Sequence, residues 1–180
     1  MRNPINSILF CLALALCHTA SADVLIKSFT NEADFGYTYG SWEGQTQVSP
    51  TGVTIGGSAT ARGGAGSYLK TPLDLSGESS LEVTVRPYPS NAVSHFNLLL
   101  KTHFGSGDND FYTSRYTFTL PPSSDGAFVK IRVSLDPSKA TSGEFGPIKL
   151  SKVNELQIQG NYANDTDAFN LIFWEVRATR

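Results

Sequence analysis

Sulfur is nearly absent from this sequence of 180 residues. Its one methionine is Met1 and its two cysteines are Cys11 and Cys17. A chain that loses its N-terminal segment therefore works without sulfur, which excludes thiol nucleophiles, disulfides, cysteine-bound zinc and iron–sulfur clusters. A basic field is missing too. The 14 Lys and Arg face 16 Asp and Glu, for a net charge of -2, which is no basis for holding a nucleic-acid backbone. Apolar runs of spanning length are also missing. Ile8-Leu-Phe-Cys-Leu-Ala-Leu-Ala-Leu-Cys17 has ten residues, against roughly 20 for a helix that crosses a bilayer.

That run belongs to a different device. Arg2 supplies a positive start, the apolar run follows, and His18-Thr19-Ala20-Ser21-Ala22 places small residues at the two positions read by a processing protease. This is the three-part build of a secretory signal peptide. The expectation is a signal at residues 1–22 and one domain at residues 23–180, secreted or periplasmic and without a transmembrane segment. The domain would keep ten Phe, seven Tyr and two Trp.

After Asp23 the apolar residues alternate in short runs, the pattern of half-buried strands. Residues 81–86 point Leu81, Val83 and Val85 one way and Glu82, Thr84 and Arg86 the other. Phe96, Leu98 and Leu100 alternate with Asn97, as Tyr116, Phe118 and Leu120 alternate with polar neighbours. The same pattern sets Val129, Ile131, Val133 and Leu135 against Lys130, Arg132 and Ser134, and Leu156 and Ile158 against Glu155, Gln157 and Gln159. Asp74-Leu-Ser-Gly77, Pro87-Tyr-Pro89, Pro121-Pro122 and Asp136-Pro137 supply turns between the runs. The spacing predicts an all-β fold, a two-sheet antiparallel sandwich that buries Leu81, Val83, Phe96, Leu98, Phe118, Ile131, Val133 and Leu156. The glycines from Gly56 to Gly66 read as a flexible loop and hairpin, and residues 149–154 as a short helical turn.

The order of landmarks resembles a known superfamily. Gly63-Gly64-Ala65-Gly66 precedes Leu73-Asp-Leu-Ser-Gly77. Then come Phe96-Asn-Leu-Leu-Leu-Lys-Thr102, Tyr116-Thr-Phe-Thr-Leu-Pro121, Phe128-Val-Lys-Ile-Arg-Val-Ser-Leu135, Leu150-Ser-Lys-Val-Asn-Glu-Leu-Gln-Ile158 and Phe169-Asn-Leu-Ile-Phe-Trp-Glu-Val-Arg-Ala178. This is similar to the galactose-binding-like jelly rolls, in the branch shared by complex I intermediate-associated proteins and glucan-binding modules. The resemblance covers about residues 65–178 and implies two packed sheets and a binding role without catalysis. In that family the closing strand often carries two acidic residues, one of which helps hold a structural calcium. Here Trp174 stands at the first position and Glu175 at the second. The resemblance thus implies no cofactor beyond one calcium, held by Glu175 with Asn31 or Asp34 if the chain ends meet.

Catalytic signals are sparse. Residues 23–180 hold two histidines, His95 and His103, and no Gly-x-Ser-x-Gly elbow. The two imidazoles are spaced to meet across a hairpin or to face solvent separately. Carboxylates are scattered, with no pair fixed by spacing. Two ligand surfaces suggest themselves instead. Arg86, His95, Asn97 and Arg115 lie on the polar side of the alternation, with the donors and acceptors that match sugar hydroxyls. Tyr37, Tyr39 and Trp42 form the densest aromatic group, able to stack on the apolar faces of sugars or to pack at the core edge. The leading expectation is a carbohydrate-binding sandwich whose partner is a glycan. A protein-binding scaffold and a glycan-active enzyme are its rivals. Processing is expected between Ala22 and Asp23. N-terminal sequencing of exported protein checks it: a chain starting at Asp23 is expected, and a lipid-modified start at Cys17 contradicts it.

Overall fold

The computed structural model describes residues 23–30, 35–107, 109–122, 126–162 and 166–180. The expected signal peptide, Asn31 and Asp34 lie outside the described residues. The chain runs through β1 (Val24–Ser28), β2 (Tyr37–Gly40), β3 (Thr46–Ser49), β4 (Gly52–Ile55), β5 (Gly63–Leu73), β6 (Ser80–Pro87), β7 (His95–His103), β8 (Phe111–Thr119), β9 (Val129–Ser134), β10 (Thr141–Ser142), β11 (Val153–Gly160) and β12 (Leu171–Thr179). The helical turn expected near residue 150 is a single 3-10 turn, Leu150–Lys152, leading into β11. Among the described residues no helix is long and apolar enough to cross a membrane.

Two antiparallel sheets form a jelly-roll sandwich. The first has the order β3-β4-β12-β6-β9, with β1 also on β12, and the second has the order β10-β8-β7-β11-β5-β2. One flank of β12 is shared: residues 171–173 pair with β4, and residues 175–178 pair with β1. On its other flank, the ladder to β6 shifts between Phe173 and Glu175, the mark of a bulge at Trp174. The Trp174 carbonyl accepts the Phe29 N–H at 2.8 Å.

The core lies between the sheets. Phe96 of β7 stacks on Phe118 of β8 with ring centroids 5.3 Å apart, and meets Phe173 of β12 edge-on at 5.2 Å. That edge-on contact crosses from one sheet to the other. Leu81, Val83, Phe96, Leu98, Phe118 and Leu156 are buried, as the alternation predicts. Ile131 and Val133 are only half-buried, because β9 is an edge strand covered on one flank alone. The turns follow their sequence chemistry: Asp74 accepts from Ser76 N and Oγ, and Asp136 from Ser138 N and Oγ.

The glycine-rich stretch corrects the sequence reading. Gly63, Gly64 and Gly66 are no loop; they open β5, an inner strand of the second sheet. Their missing side chains are filled by rings from the preceding segment. A Cβ on Gly63 would run into Trp42, one on Gly64 into Tyr39, and one on Gly66 into Tyr37. Turn residues and close-approach residues are both written as glycine, and here the second role applies.

Candidate functional site: the open face of the second sheet

Register places the outward side chains of the second sheet in rows. Tyr39 of β2 lies opposite Gly64 of β5, followed by Gln159 of β11, Asn97 of β7 and Thr117 of β8. The next row reads Tyr37, Gly66, Gln157, Leu99, Arg115 and Thr141 of β10. A third reads Tyr68, Glu155, Lys101 and Thr113. His103 and Phe111 close the face. Because Gly64 and Gly66 carry no side chain, the Tyr39 and Tyr37 rings lie across β5 and bring their hydroxyls to β11.

Five rings follow one another across this surface. Centroid separations are 6.4 Å from Tyr39 to Tyr37, 5.9 Å from Tyr37 to Tyr68, 5.7 Å from Tyr68 to His103, and 5.3 Å from His103 to Phe111. Tyr68 is 61% exposed, and the Lys101 ammonium sits 4.5 Å from the Phe111 centroid. Four strand steps separate β2 from β8, about 19 Å at the usual spacing.

Under the rings lies a saturated polar layer. Glu155, 1% exposed, accepts from Tyr37 OH, from His103 Nε2 and, at 2.8 Å, from Lys101 Nζ. The Tyr39 hydroxyl accepts from Gln157 Nε2 and, at 3.1 Å, from Gln159 Nε2. Thr117 Oγ1 donates to Asn97 Oδ1 at 2.9 Å, and Asn97 Nδ2 reaches the Gly160 carbonyl at 3.4 Å. Burial pushes the Glu155 carboxyl up, but the hydrogen bonds from Lys101, Tyr37 and His103 outweigh it and hold the group below the usual glutamate range. Burial raises the Tyr37 phenol, helped by its bond to the Glu155 carboxylate. The Tyr39 phenol is pushed up to about 12, first by burial. Both hydroxyls stay protonated near neutral pH, so Tyr37 remains a donor to Glu155.

The structure sorts the sequence candidates. Tyr37, Tyr39, Asn97 and Arg115 share this face, and His95 stands at its margin opposite Thr119. Arg86 does not join them. It projects from β6 in the first sheet, its guanidinium 5.1 Å from the Phe128 centroid and 5.7 Å from that of Tyr88, because alternation gives the side of a strand and not its sheet. Trp42 is fully buried, 4.4 Å from Phe169 between centroids, with Nε1 donating to the Thr60 carbonyl at 2.8 Å. It packs the core and offers no surface for stacking. His95 and His103 are the two ends of one strand, β7, so they do not meet across a hairpin. Glu175 gives both carboxylate oxygens to Arg177, at 2.9 and 3.0 Å. Calcium needs six to eight oxygens. Among the described residues no group of three or more His, Cys, Asp or Glu side chains is placed to hold a metal, and Asn31 and Asp34, the expected partners of Glu175, lie outside those residues.

Sequence reasoning missed Tyr68, Lys101, His103, Phe111 and Glu155 as members of this surface. Gln157 and Gln159 were readable as outward residues of their strand, but not as partners of Tyr39. Glu155 is the only carboxylate in the six strands of the sheet. With its oxygens engaged, it leaves no pair of carboxylates on these strands of the kind that flanks a glycosidic bond in hydrolysis. The surface presents ring faces with amide, hydroxyl and guanidinium groups beside them, which is chemistry for holding a polyhydroxylated ligand.

The sequence matches no protein-family model and no curated protein sequence. Solved structures that share its architecture include two carbohydrate-binding modules. One is the family 11 carbohydrate-binding module from Clostridium thermocellum in complex with a beta-1,3-1,4-mixed-linked tetrasaccharide. It is 13% identical, with 88% of this chain and 97% of that chain covered and a TM-score of 0.61. The other is the family 11 module of the cellulosomal cellulase Lic26A-Cel5E of Clostridium thermocellum, 11% identical over 89% of this chain and 96% of that chain, with a TM-score of 0.57. The chain has the jelly-roll fold of these modules.

Glu155 makes stability depend on pH. A carboxyl held below its unfolded value contributes fully above that value, and the contribution is lost as pH falls through the folded value. The melting temperature should therefore fall below about pH 4.3, the ordinary glutamate range. Glu155→Gln should cost about 3 kcal/mol at pH 7, as removal of one partner from a buried pair does, and should flatten the acid limb. Thermal melts from pH 3 to 7 check this, and an unchanged acid limb in the variant would contradict it.

Proposed function

We propose that this chain is an exported, non-catalytic carbohydrate-binding domain that holds an extended glycan along the five-ring track from Tyr39 to Phe111. The track itself carries the reading. Pyranose rings present apolar C–H faces to aromatic surfaces and hydroxyls at their edges, and here the rings are flanked by Gln157, Gln159, Asn97 and Arg115. Tyr39 and Tyr37 are locked by hydrogen bonds before any ligand arrives, which lowers the entropy lost on binding. The tetrasaccharide named for the first structural neighbour makes a mixed-linkage glucan the first ligand to try. Export is supported by the signal pattern of residues 1–22. A protein-binding scaffold has one feature in its favour: exposed Phe104, which meets Tyr112 at 5.0 Å and Phe145 at 5.4 Å. That cluster lies off the track.

Calorimetry with mixed-linkage glucan oligosaccharides tests the proposal. The double variant Tyr37→Ala/Tyr39→Ala should weaken binding at least about tenfold, or 1.4 kcal/mol. Tyr37→Phe should retain most of the affinity, because it keeps the ring. Full affinity in the double variant would move the site off the track, and absence of glycan binding by the unaltered protein would reject the reading.

A further inference from the structure

We propose that the Arg115 end of the track reads a carboxylate, so that the preferred ligand is an acidic glycan bearing uronic acid units. This rests on the carbohydrate-binding reading of the same face and names the class of its ligand.

Charge bookkeeping leads there. Glu155, the sole carboxylate of the six strands, is buried and committed to Lys101, Tyr37 and His103. Arg115 has no such counterpart. It is exposed on β8, between Leu99 of β7 and Thr141 of β10, and its side chain makes no hydrogen bond or ion pair with any described residue. Other arginines are engaged: Arg132 with Glu82 at 3.0 Å, Arg177 with Glu175, and Arg86 over Phe128 and Tyr88.

The free guanidinium stands at a groove of about 280 Å³, which Arg115 lines together with Thr117, Ser134, Lys139 and Thr141. Asp136 is close to this rim but is spent. Its Oδ1 accepts from Ser138 N at 3.0 Å and Oγ at 2.6 Å, and its Oδ2 faces Lys139 at 3.6 Å. The charge on Arg115 is therefore left uncompensated beside a cleft lined with hydroxyls. Neutral sugar hydroxyls are served by the amides of Gln157, Gln159 and Asn97, which carry no charge. A planar guanidinium matches the two oxygens of a carboxylate, and such charge-assisted bonds are about twice as strong as neutral ones.

The test uses matched ligands: a neutral mixed-linkage glucan, and the same glucan with its primary hydroxyls oxidised to carboxylates. Calorimetry on the purified protein at low and high salt should show the oxidised form bound at least about tenfold more tightly at low salt, with the gap narrowing as salt rises. Arg115→Ala should bind both forms equally and melt at the parental temperature, since the side chain has no partner to lose. Arg115→Lys should keep part of the preference, because it retains the charge without the fork. Equal affinity of the unaltered protein for the two glucans, or a preference that survives in Arg115→Ala, would overturn the inference. Binding of the neutral glucan without preference would leave the carbohydrate-binding reading standing, whereas binding of neither would overturn both.

Discussion

The open face depends on how closely aromatic rings can approach a backbone. A tyrosine on a strand normally stands away from the sheet, over its neighbour's side chain. Tyr37 and Tyr39 lie down instead, because β5 offers Gly66 and Gly64 beneath them. This costs backbone entropy at each glycine, up to about 1 kcal/mol relative to alanine. The return is ring area buried on one side and a flat aromatic surface on the other. Trp42 over Gly63 applies the same packing one step further along, but there the ring turns inward and closes the end of the core against Phe169. One short glycine run thus serves both the interior and the surface of the second sheet.

Flat rings bring their hydroxyls over the sheet, and buried hydroxyls need partners. Those partners come from β11, where Glu155, Gln157 and Gln159 alternate outward. Glu155 would be costly to bury alone. It is accommodated because Lys101, His103 and Tyr37 reach it from two other strands. The outer face of the first sheet is organised differently. Glu82 pairs with Lys130 and Arg132, and Glu175 with Arg177, so its carboxylates are taken up by exposed or half-exposed cations. Such pairs contribute little stability, and they give a solvated surface without a continuous aromatic track.

Much of the fold was legible in the sequence, because period-two alternation is set by the same pleat that sets burial. The strands around Leu81, Phe96, Phe118 and Leu156 and their inward faces followed from it. Two things were not legible. Alternation does not say which strands share a sheet, so it groups Arg86 with Asn97 and Arg115 although β6 belongs to the opposite layer. Composition does not separate a glycine that turns the chain from one that admits a ring, so it reads Gly63 to Gly66, the opening of β5, as part of a loop and hairpin. Trp42 illustrates a related limit. It lies near Tyr37 and Tyr39 in sequence, but the Gly40 turn sends it into the core.

The central claim is that ligand binding belongs to the ring-lined face of the second sheet. The most direct measurement is a backbone amide shift titration of the folded protein with a mixed-linkage glucan oligosaccharide. The account predicts perturbations concentrated at residues 37–39, 64–68, 97–103, 111–117 and 155–159, with residues 82, 84, 130, 132, 175 and 177 unmoved. Shifts gathered on that second group, with the tyrosine rows silent, would contradict it.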